Sequence, residues 1–159
     1  MSKSITTLKL LGLATLALVG LSTSNVKAQD VAEITLTADK VQFIYDIKEF
    51  TVKAGQKVKI TLVNPGESIT KQPHNLLIVK KGKKEVVGAL ANAGLTDPNF
   101  ITKKNCIPES EDILHHTSLV LPGKSETIEF TAPSEAGDYP YICTYPGHWI
   151  LMNGVMKVK

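Results

Sequence analysis

Hydrophobic residues alternate with polar ones in several short segments of the chain. The pattern is clearest in residues 57–64, where Val58, Ile60 and Leu62 alternate with lysines and a threonine. Successive side chains of a β-strand point to opposite faces, so this alternation indicates a strand with one buried face. Similar patterns predict strands or extended segments over residues 31–37, 41–53, 75–79, 118–121, 125–131, 138–144 and 154–159.

Glycine and proline lie between many of these segments, for example at Pro65-Gly66 and Pro122-Gly123. Residues 85–93 have the composition of a short helix, and the stretch 94–112 that follows is loop-like. Seven or eight short strands separated by glycine and proline turns are typical of a sandwich or barrel. We therefore predict an all-β fold, a Greek-key β-sandwich or barrel with one short inserted helix.

The first 28 residues differ in composition from the rest. Two lysines accompany an apolar run over residues 10–21, and a short tail of small and polar residues ends at Ala28. This pattern predicts a secretory signal peptide over residues 1–28, a single domain over residues 29–159, and export to a bacterial periplasm. An uncleaved membrane anchor is the weaker alternative, because a spanning helix needs about 20 apolar residues.

Removal of the predicted signal peptide leaves a nearly neutral domain. The chain has 18 basic residues, all lysines, and 15 acidic ones. Three of the lysines precede residue 29, so 15 remain against 15 acids. A neutral domain without arginine gives no reason to expect a nucleic-acid partner or phosphate clamps. We also expect no stable membrane insertion after cleavage.

A thiol, an imidazole and a thioether lie within ten residues of one another near the end of the chain. They belong to Cys143, His148 and Met152, and the intervening Pro146-Gly147 turn can bring them together. Thiolate and thioether ligands favour copper, and imidazole suits it as well. A second histidine would complete a trigonal blue-copper site with a weak axial methionine, and His74 is the candidate.

The remaining cysteine and histidines leave alternatives open. The cluster could also consist of a structural cysteine, a turn histidine and a core methionine. Cys106 could pair with Cys143 in an exported protein, but if Cys143 binds copper we expect Cys106 to be a free thiol. Adjacent His115 and His116 could bind a second metal, although such pairs are more often surface side chains.

Several segments carry a resemblance to a known family. The chain resembles the azurins and, more broadly, the cupredoxins, which are small blue-copper electron carriers. The likeness covers most of residues 29–159 and includes Val41-Gln42-Phe43, Asn64-Pro65-Gly66, His74-Asn75, His116-Thr117-Ser118-Leu119, and the stretch from Cys143 to Met152.

The resemblance implies one mononuclear type 1 copper site, with His74, Cys143 and His148 as strong ligands and Met152 as the axial one. It further implies that Asn75 and Thr144 connect the ligand loops by hydrogen bonds, and that the amides of Asn75 and Tyr145 point at the cysteine sulfur.

Three departures set the chain apart from azurin. Pro73 replaces a glycine whose carbonyl approaches the metal, so a fifth ligand is not expected. The N-terminal disulfide is absent, because no cysteine precedes Cys106. Asn64 replaces a pH-responsive histidine, so no such coupling is expected.

The function implied by the resemblance is that of an exported one-electron carrier without enzymatic activity. A redox-protein donor and acceptor, such as a cytochrome or a copper enzyme, would dock near His148 and Trp149. We expect an outward-facing edge of the His148 ring and an exposed Trp149, with Ile150 or Leu151 partly filling the mouth of the barrel.

Two other functions are weighed against electron transfer. A periplasmic copper carrier or storage protein generally uses methionine-rich or paired-cysteine sites, and this chain has three methionines in all. The second alternative is nucleophilic catalysis by Cys143, activated by His148. The sequence shows no evident oxyanion donor or orienting acid for such a reaction.

Overall fold

A computed structural model of the protein describes residues 30–159. The predicted signal peptide, residues 1–28, lies outside the described residues and stays a prediction. The described part of the chain forms eight strands and one helix. In order, they are β1 Ala32–Thr37, β2 Glu49–Val52, β3 Lys57–Asn64, β4 Leu77–Val79, α1 Lys84–Gly94, β5 Ile113–His116, β6 Lys124–Thr131, β7 Gly137–Ile142 and β8 Asn153–Val158.

The strands form two sheets that pack face to face. The first has the order β1-β3-β6, and the second has the order β2-β8-β7-β4-β5. Strand β1 is parallel to β3 and β2 is parallel to β8, while the other neighbouring pairs are antiparallel. The predicted β-sandwich with one inserted helix is therefore confirmed. Over the described residues the sheets do not close into a barrel.

Inward-facing residues from both sheets fill the main core. On β3, Val58, Ile60 and Leu62 are buried as the alternating pattern predicted, and they belong to one cluster with Tyr141 and Met156 of the second sheet. Full burial of an aliphatic side chain of this size contributes about 1.5–3 kcal/mol. The alternation on β3 therefore decides which of its faces meets the second sheet.

The inserted helix covers the outer face of the second sheet. Its bounds, Lys84–Gly94, extend the predicted helix by one residue at each end. Val87 packs against Leu77, Val79 and Ile142, which lie on β4 and β7. Strand β4 is apolar on both faces because Ile78 packs in the main core and Leu77 and Val79 pack with the helix.

Two of the predicted strands are wrong in extent or position. The segment 118–121 is not a strand, and only Val120 forms an isolated bridge, with His74. The strand lies earlier, at Ile113–His116, because this segment pairs with β4 at the edge of the second sheet.

The extended run predicted over residues 41–53 contains a regular strand only at Glu49–Val52. Before it, the carboxylate of Asp39 accepts hydrogen bonds from the backbone N–H groups of Val41 and Gln42. Such a local side-chain bond turns the backbone away from a ladder. The run therefore begins as a loop.

Strand pairing brings the ligand-bearing loops to one end of the sandwich. The start of β4 lies beside the end of β7, with Leu77 opposite Ile142. His74 precedes the first of these strands and Cys143 follows the second. Two residues far apart in sequence are thus placed side by side. Among the described helices, none is long and apolar enough to cross a membrane.

Candidate metal centre

Three predicted ligands meet in a buried cluster at this end of the molecule. The Nδ1 atom of His148 lies 3.6 Å from the Sγ atom of Cys143, and the Nδ1 atom of His74 lies 3.9 Å from the same sulfur. The ligand atoms of the three residues all lie within 4.8 Å of one another. The loops before β4 and after β7 therefore converge, and His74 joins Cys143 and His148 as the family resemblance implied.

These separations suit a trigonal metal ion. Bonds of about 2.3 Å to sulfur and 2.0 Å to nitrogen, as zinc makes to thiolate and imidazole, place the two atoms roughly 3.7 Å apart when the angle is about 120°. The two sulfur–nitrogen distances lie close to that value. Both distances therefore fit a copper or zinc ion held by Cys143 and the two histidines.

Met152 lies beside this cluster and is fully buried in the same core as Cys143. Its carbonyl accepts a hydrogen bond from the Cys143 amide at 2.9 Å, and its own amide donates to the His148 carbonyl at 2.7 Å. These two backbone hydrogen bonds close the turn from Cys143 to Met152. The four residues make up the donor set of a mononuclear type 1 copper site.

Burial controls the protonation of the ligands. Desolvation lowers the pKa of His74 to about 4, and desolvation together with the neighbouring His74 lowers that of His148 to about 4. Both imidazoles are therefore neutral near pH 7 and have a lone pair to offer a metal. Burial raises the pKa of the Cys143 thiol to about 12, although backbone amides of Asn75 and Tyr145 oppose the shift by hydrogen bonding to the sulfur. A bound cation would stabilise the thiolate that burial disfavours.

Asn75 connects the two ligand loops, as expected. Its Oδ1 atom accepts a hydrogen bond from the Thr144 amide at 2.8 Å, and its Nδ2 atom donates to the Thr144 hydroxyl at 2.9 Å. The same Nδ2 atom donates to the Asn105 carbonyl at 2.8 Å, which extends the connection to the inserted loop. Tyr45, fully buried, donates its hydroxyl to the Asn75 carbonyl at 2.6 Å. The backbone around the ligands is therefore held from several sides.

The outer edge of His148 is covered, which corrects the expectation that it faces outward. The residue is 2% exposed. Its Nε2 atom lies 2.7 Å from the Oε1 atom of Gln72, and the ring of Phe43 stacks on it with centroids 4.2 Å apart. Neither contact was predicted. Gln72 lies only two residues before His74, but no sequence pattern indicates where its side chain points.

The expectation for Trp149 is also wrong. Its ring packs against helix α1, where a Cβ atom added at Gly88 would lie 2.4 Å from the indole, and its Nε1 atom donates to Asn92 at 3.3 Å. Ile150 and Leu151 are the residues that turn outward, each 61% exposed. The tryptophan is drawn inward because the helix provides an apolar face for it.

The second cysteine and the histidine pair lie apart from the cluster. Cys106 is a buried free thiol, in agreement with the expectation, and burial raises its pKa to about 11. His115 stacks on Phe130 with centroids 4.3 Å apart, while His116 is exposed. Within the described residues these two histidines are not part of a group of metal-ligating side chains.

Asn64, which stands where azurin has a pH-responsive histidine, is fully buried. Its Nδ2 atom donates to the carbonyls of Gln72 and Val120, both at 2.9 Å. These bonds hold the segment before His74 against the loop that follows β5.

Comparisons with known proteins agree with this geometry. The family described as copper binding proteins, plastocyanin/azurin family, matches residues 32–159. Auracyanin-A of Chloroflexus aurantiacus is 40% identical over 125 residues, which are 74% of this chain and 68% of the relative. Azurin-1 of Alcaligenes xylosoxydans xylosoxydans is 32% identical over 127 residues, which are 76% of this chain and 91% of the relative.

Solved structures give the same result. The structure of auracyanin A, a "blue" copper protein from Chloroflexus aurantiacus, superimposes with a TM-score of 0.70 at 34% identity, covering 82% of this chain and all of that one. A dithionite-reduced auracyanin of Roseiflexus castenholzii gives a TM-score of 0.67 at 36% identity, covering 80% of this chain and 97% of that one. With its buried cluster of two histidines, a cysteine and a methionine, the chain belongs to the plastocyanin/azurin family of copper-binding proteins.

Proposed function

We propose that the protein is a small exported one-electron carrier that holds one copper ion. A bound copper ion would supply a one-electron couple between Cu(I) and Cu(II). The observation that carries the proposal is the buried cluster of ligand atoms, tied by Asn75 through bonds to Thr144 and Asn105. Loops held in this way keep the ligands in nearly one arrangement, so that little movement accompanies each transfer.

Each ligand has a distinct role in this proposal. Copper would be held most strongly by the Sγ atom of Cys143 and the Nδ1 atoms of His74 and His148, because these atoms face one another across the cluster. The thioether of Met152 would add a weaker fourth bond, and the strength of that bond would tune the reduction potential.

The visible spectrum of the copper-loaded, oxidised protein tests the proposal. We expect a blue protein with an intense thiolate-to-copper charge-transfer band and a narrow parallel hyperfine splitting in EPR. Cys143→Ser should abolish the colour, whereas Cys106→Ser, the matched change at the other buried cysteine, should keep it. A colourless Cu(II) adduct with an ordinary tetragonal EPR signal would contradict the assignment.

The described site favours electron transfer over the alternatives. A copper carrier needs ligands that exchange readily, but His74, Cys143, His148 and Met152 are all buried. A nucleophilic cysteine needs a lowered pKa, and burial raises the pKa of Cys143 to about 12. Rapid electron self-exchange combined with slow copper loss to a chelator is expected. The opposite pair of results would favour copper carriage.

Docking of the redox partners is proposed on the turn that follows His148. Ile150 and Leu151 form an exposed apolar pair there, and such pairs on one loop often mark partner surfaces. Trp149, in the same turn, packs against α1. The donor and the acceptor, such as a cytochrome or a copper enzyme, would approach this surface by apolar contact, with weak dependence on salt because the domain is nearly neutral.

A lysine scan tests the docking surface. Ile150→Lys should leave the blue spectrum unchanged while slowing self-exchange and reduction by the donor. Val31→Lys is the matched control, since Val31 is also exposed but precedes β1, away from the ligand loops. Equal rates for both variants would place the docking surface elsewhere.

Export completes the proposal. We infer that residues 1–28 are removed and that the mature chain begins at Gln29. Mass spectrometry of the protein from a periplasmic fraction should find this N-terminus. A chain that retains residues 1–28 in the membrane fraction would contradict it.

A further inference from the structure

The second nitrogen of His148 has a partner in an unexpected place. While its Nδ1 atom faces the cysteine sulfur at 3.6 Å, its Nε2 atom lies 2.7 Å from the Oε1 atom of Gln72. A carboxamide oxygen only accepts hydrogen bonds, so the Nε2 atom carries the proton in this pair. The lone pair of the ring is then on Nδ1, where a metal would bind.

On the basis of the copper site proposed above, we propose that Gln72 is a positioning residue for His148. Its side-chain oxygen fixes the ring tautomer and the ring orientation, and it shields the Nε2–H group from water. A ligating histidine whose other nitrogen donates a hydrogen bond is a better and more firmly oriented ligand. Gln72 would therefore slow the release of His148 from the metal.

Neighbouring contacts make Gln72 suitable for this role. The buried Asn64 donates to the Gln72 carbonyl at 2.9 Å, which fixes the backbone from which the side chain extends. Pro73 restricts the next backbone step, and His74 then exchanges backbone hydrogen bonds with Val120 at 3.1 and 2.7 Å. Gln72 therefore lies in the same short, hydrogen-bonded segment as the predicted ligand His74.

Phe43 completes the enclosure from a different part of the chain. Its ring is stacked on the His148 ring with an interplanar angle of 20°. The stacked aromatic face limits tilting of the imidazole, and the hydrogen bond to Gln72 limits displacement of its Nε2 edge. With the rings of Tyr145 and His74, they leave His148 only 2% exposed.

An electron partner that approaches His148 would meet Gln72 first. Because the imidazole edge is covered, direct contact between a partner and His148 requires Gln72 to move. Gln72 is half-buried, and its Oε1 atom contacts the Nε2 atom of His148. It is therefore part of the surface through which the proposed transfer would pass.

Three variants of Gln72 distinguish the effect of its acceptor oxygen from the effect of its side-chain size. Gln72→Leu removes the acceptor oxygen, Gln72→Glu keeps an acceptor at the same distance from the backbone, and Gln72→Asn shortens the side chain by one methylene so that it cannot reach the ring. Gln42→Leu is the matched control, since Gln42 is an exposed glutamine beside Phe43. Each variant is prepared with copper bound.

Two measurements do not depend on electron-transfer activity. In the Cu(I) protein, the His148 Nε2–H proton should give an NMR signal that exchanges slowly with solvent in the parent, Gln72→Glu and Gln42→Leu. The signal should broaden or vanish in Gln72→Leu and Gln72→Asn. Competition with a chelator should show copper affinity about 10- to 100-fold lower for those two variants, the usual effect of losing such a partner.

The outcomes distinguish this inference from the proposed function. If the parent is not blue, the copper site itself is wrong. If the parent and all variants are blue and Gln72→Leu and Gln72→Asn match Gln42→Leu in proton exchange and copper affinity, Gln72 has no positioning role. Loss of affinity in Gln72→Glu as severe as in Gln72→Leu would also overturn it, because restoring the acceptor would then have no effect.

Discussion

Two methionines give a matched test of the ligand assignment at the residue scale. Met152 and Met156 are both fully buried in the same cluster, but Met152 ends the ligand turn and Met156 lies within β8. We predict that Met152→Leu keeps the blue colour and raises the reduction potential, because leucine makes the site more apolar and so disfavours the more highly charged Cu(II). Voltammetry measures the shift. Met156→Leu should leave the potential near that of the parent, and equal shifts would argue against an axial role.

A second prediction at this scale concerns Asn75. Asn75→Ala removes the partner of the Thr144 amide and of the Asn105 carbonyl. Each buried polar group left unpaired costs about 1–3 kcal/mol, so the free energy of unfolding should fall by several kcal/mol. Denaturant unfolding of the metal-free protein measures it. Thr127→Ala, which removes one hydroxyl pair on the exposed side of the first sheet, should change it by less than about 1 kcal/mol.

At the scale of elements, helix α1 is joined to the ligand turn by a close contact. A Cβ atom at Gly88 would lie 2.4 Å from the Trp149 ring. Gly88→Ala should therefore lower the free energy of unfolding by about 1–3 kcal/mol through overpacking. Helix propensity alone would favour alanine by about 1 kcal/mol. The sign of the change in the free energy of unfolding therefore shows which of the two effects is larger.

Thermal unfolding of Gly88→Ala and of the parent measures this change in stability. Gly66→Ala is the control, because a Cβ atom there would meet its nearest atom at 3.4 Å and Gly66 is not among the residues with positive φ. It should be nearly neutral. A stabilised Gly88→Ala variant would show that the helix does not hold Trp149 in place.

At the scale of the whole molecule, burial of the histidines makes stability depend on pH. In the metal-free protein, burial lowers the pKa of His74 and His148 to about 4 from the ordinary 6.5. Between these values the unfolded chain binds more protons than the folded one. The resulting stabilisation is complete above about pH 6.5 and is lost as the pH falls towards 4.

Denaturant midpoints of the metal-free protein across this range measure the effect. We expect them to fall between about pH 6.5 and 4, with a loss of up to a few kcal/mol in the free energy of unfolding. His74→Gln should make the dependence shallower, whereas His116→Gln, at an exposed histidine, should not. A flat profile for the parent would contradict burial of neutral imidazoles.

Features set by local pattern were predictable from the sequence alone. The alternation of residues 57–64 placed Val58, Ile60 and Leu62 in the core, because strand geometry repeats every two residues wherever the strand lies. The turn between Cys143 and His148 likewise follows from the local Pro146-Gly147 pair. Ligand type follows from the chemistry of the side chains, which needs no knowledge of the fold.

Only the tertiary structure decided what surrounds those ligands. Gln72 and His148 are 76 residues apart in sequence, and Trp149 meets a helix 61 positions before it at Gly88. Which of several nearby side chains covers a ring depends on how the loops pack after the sheets have formed. Apolar residues on one turn look alike in sequence. Trp149 turned inward while Ile150 and Leu151 turned outward, because α1 offers a face to only one of the three.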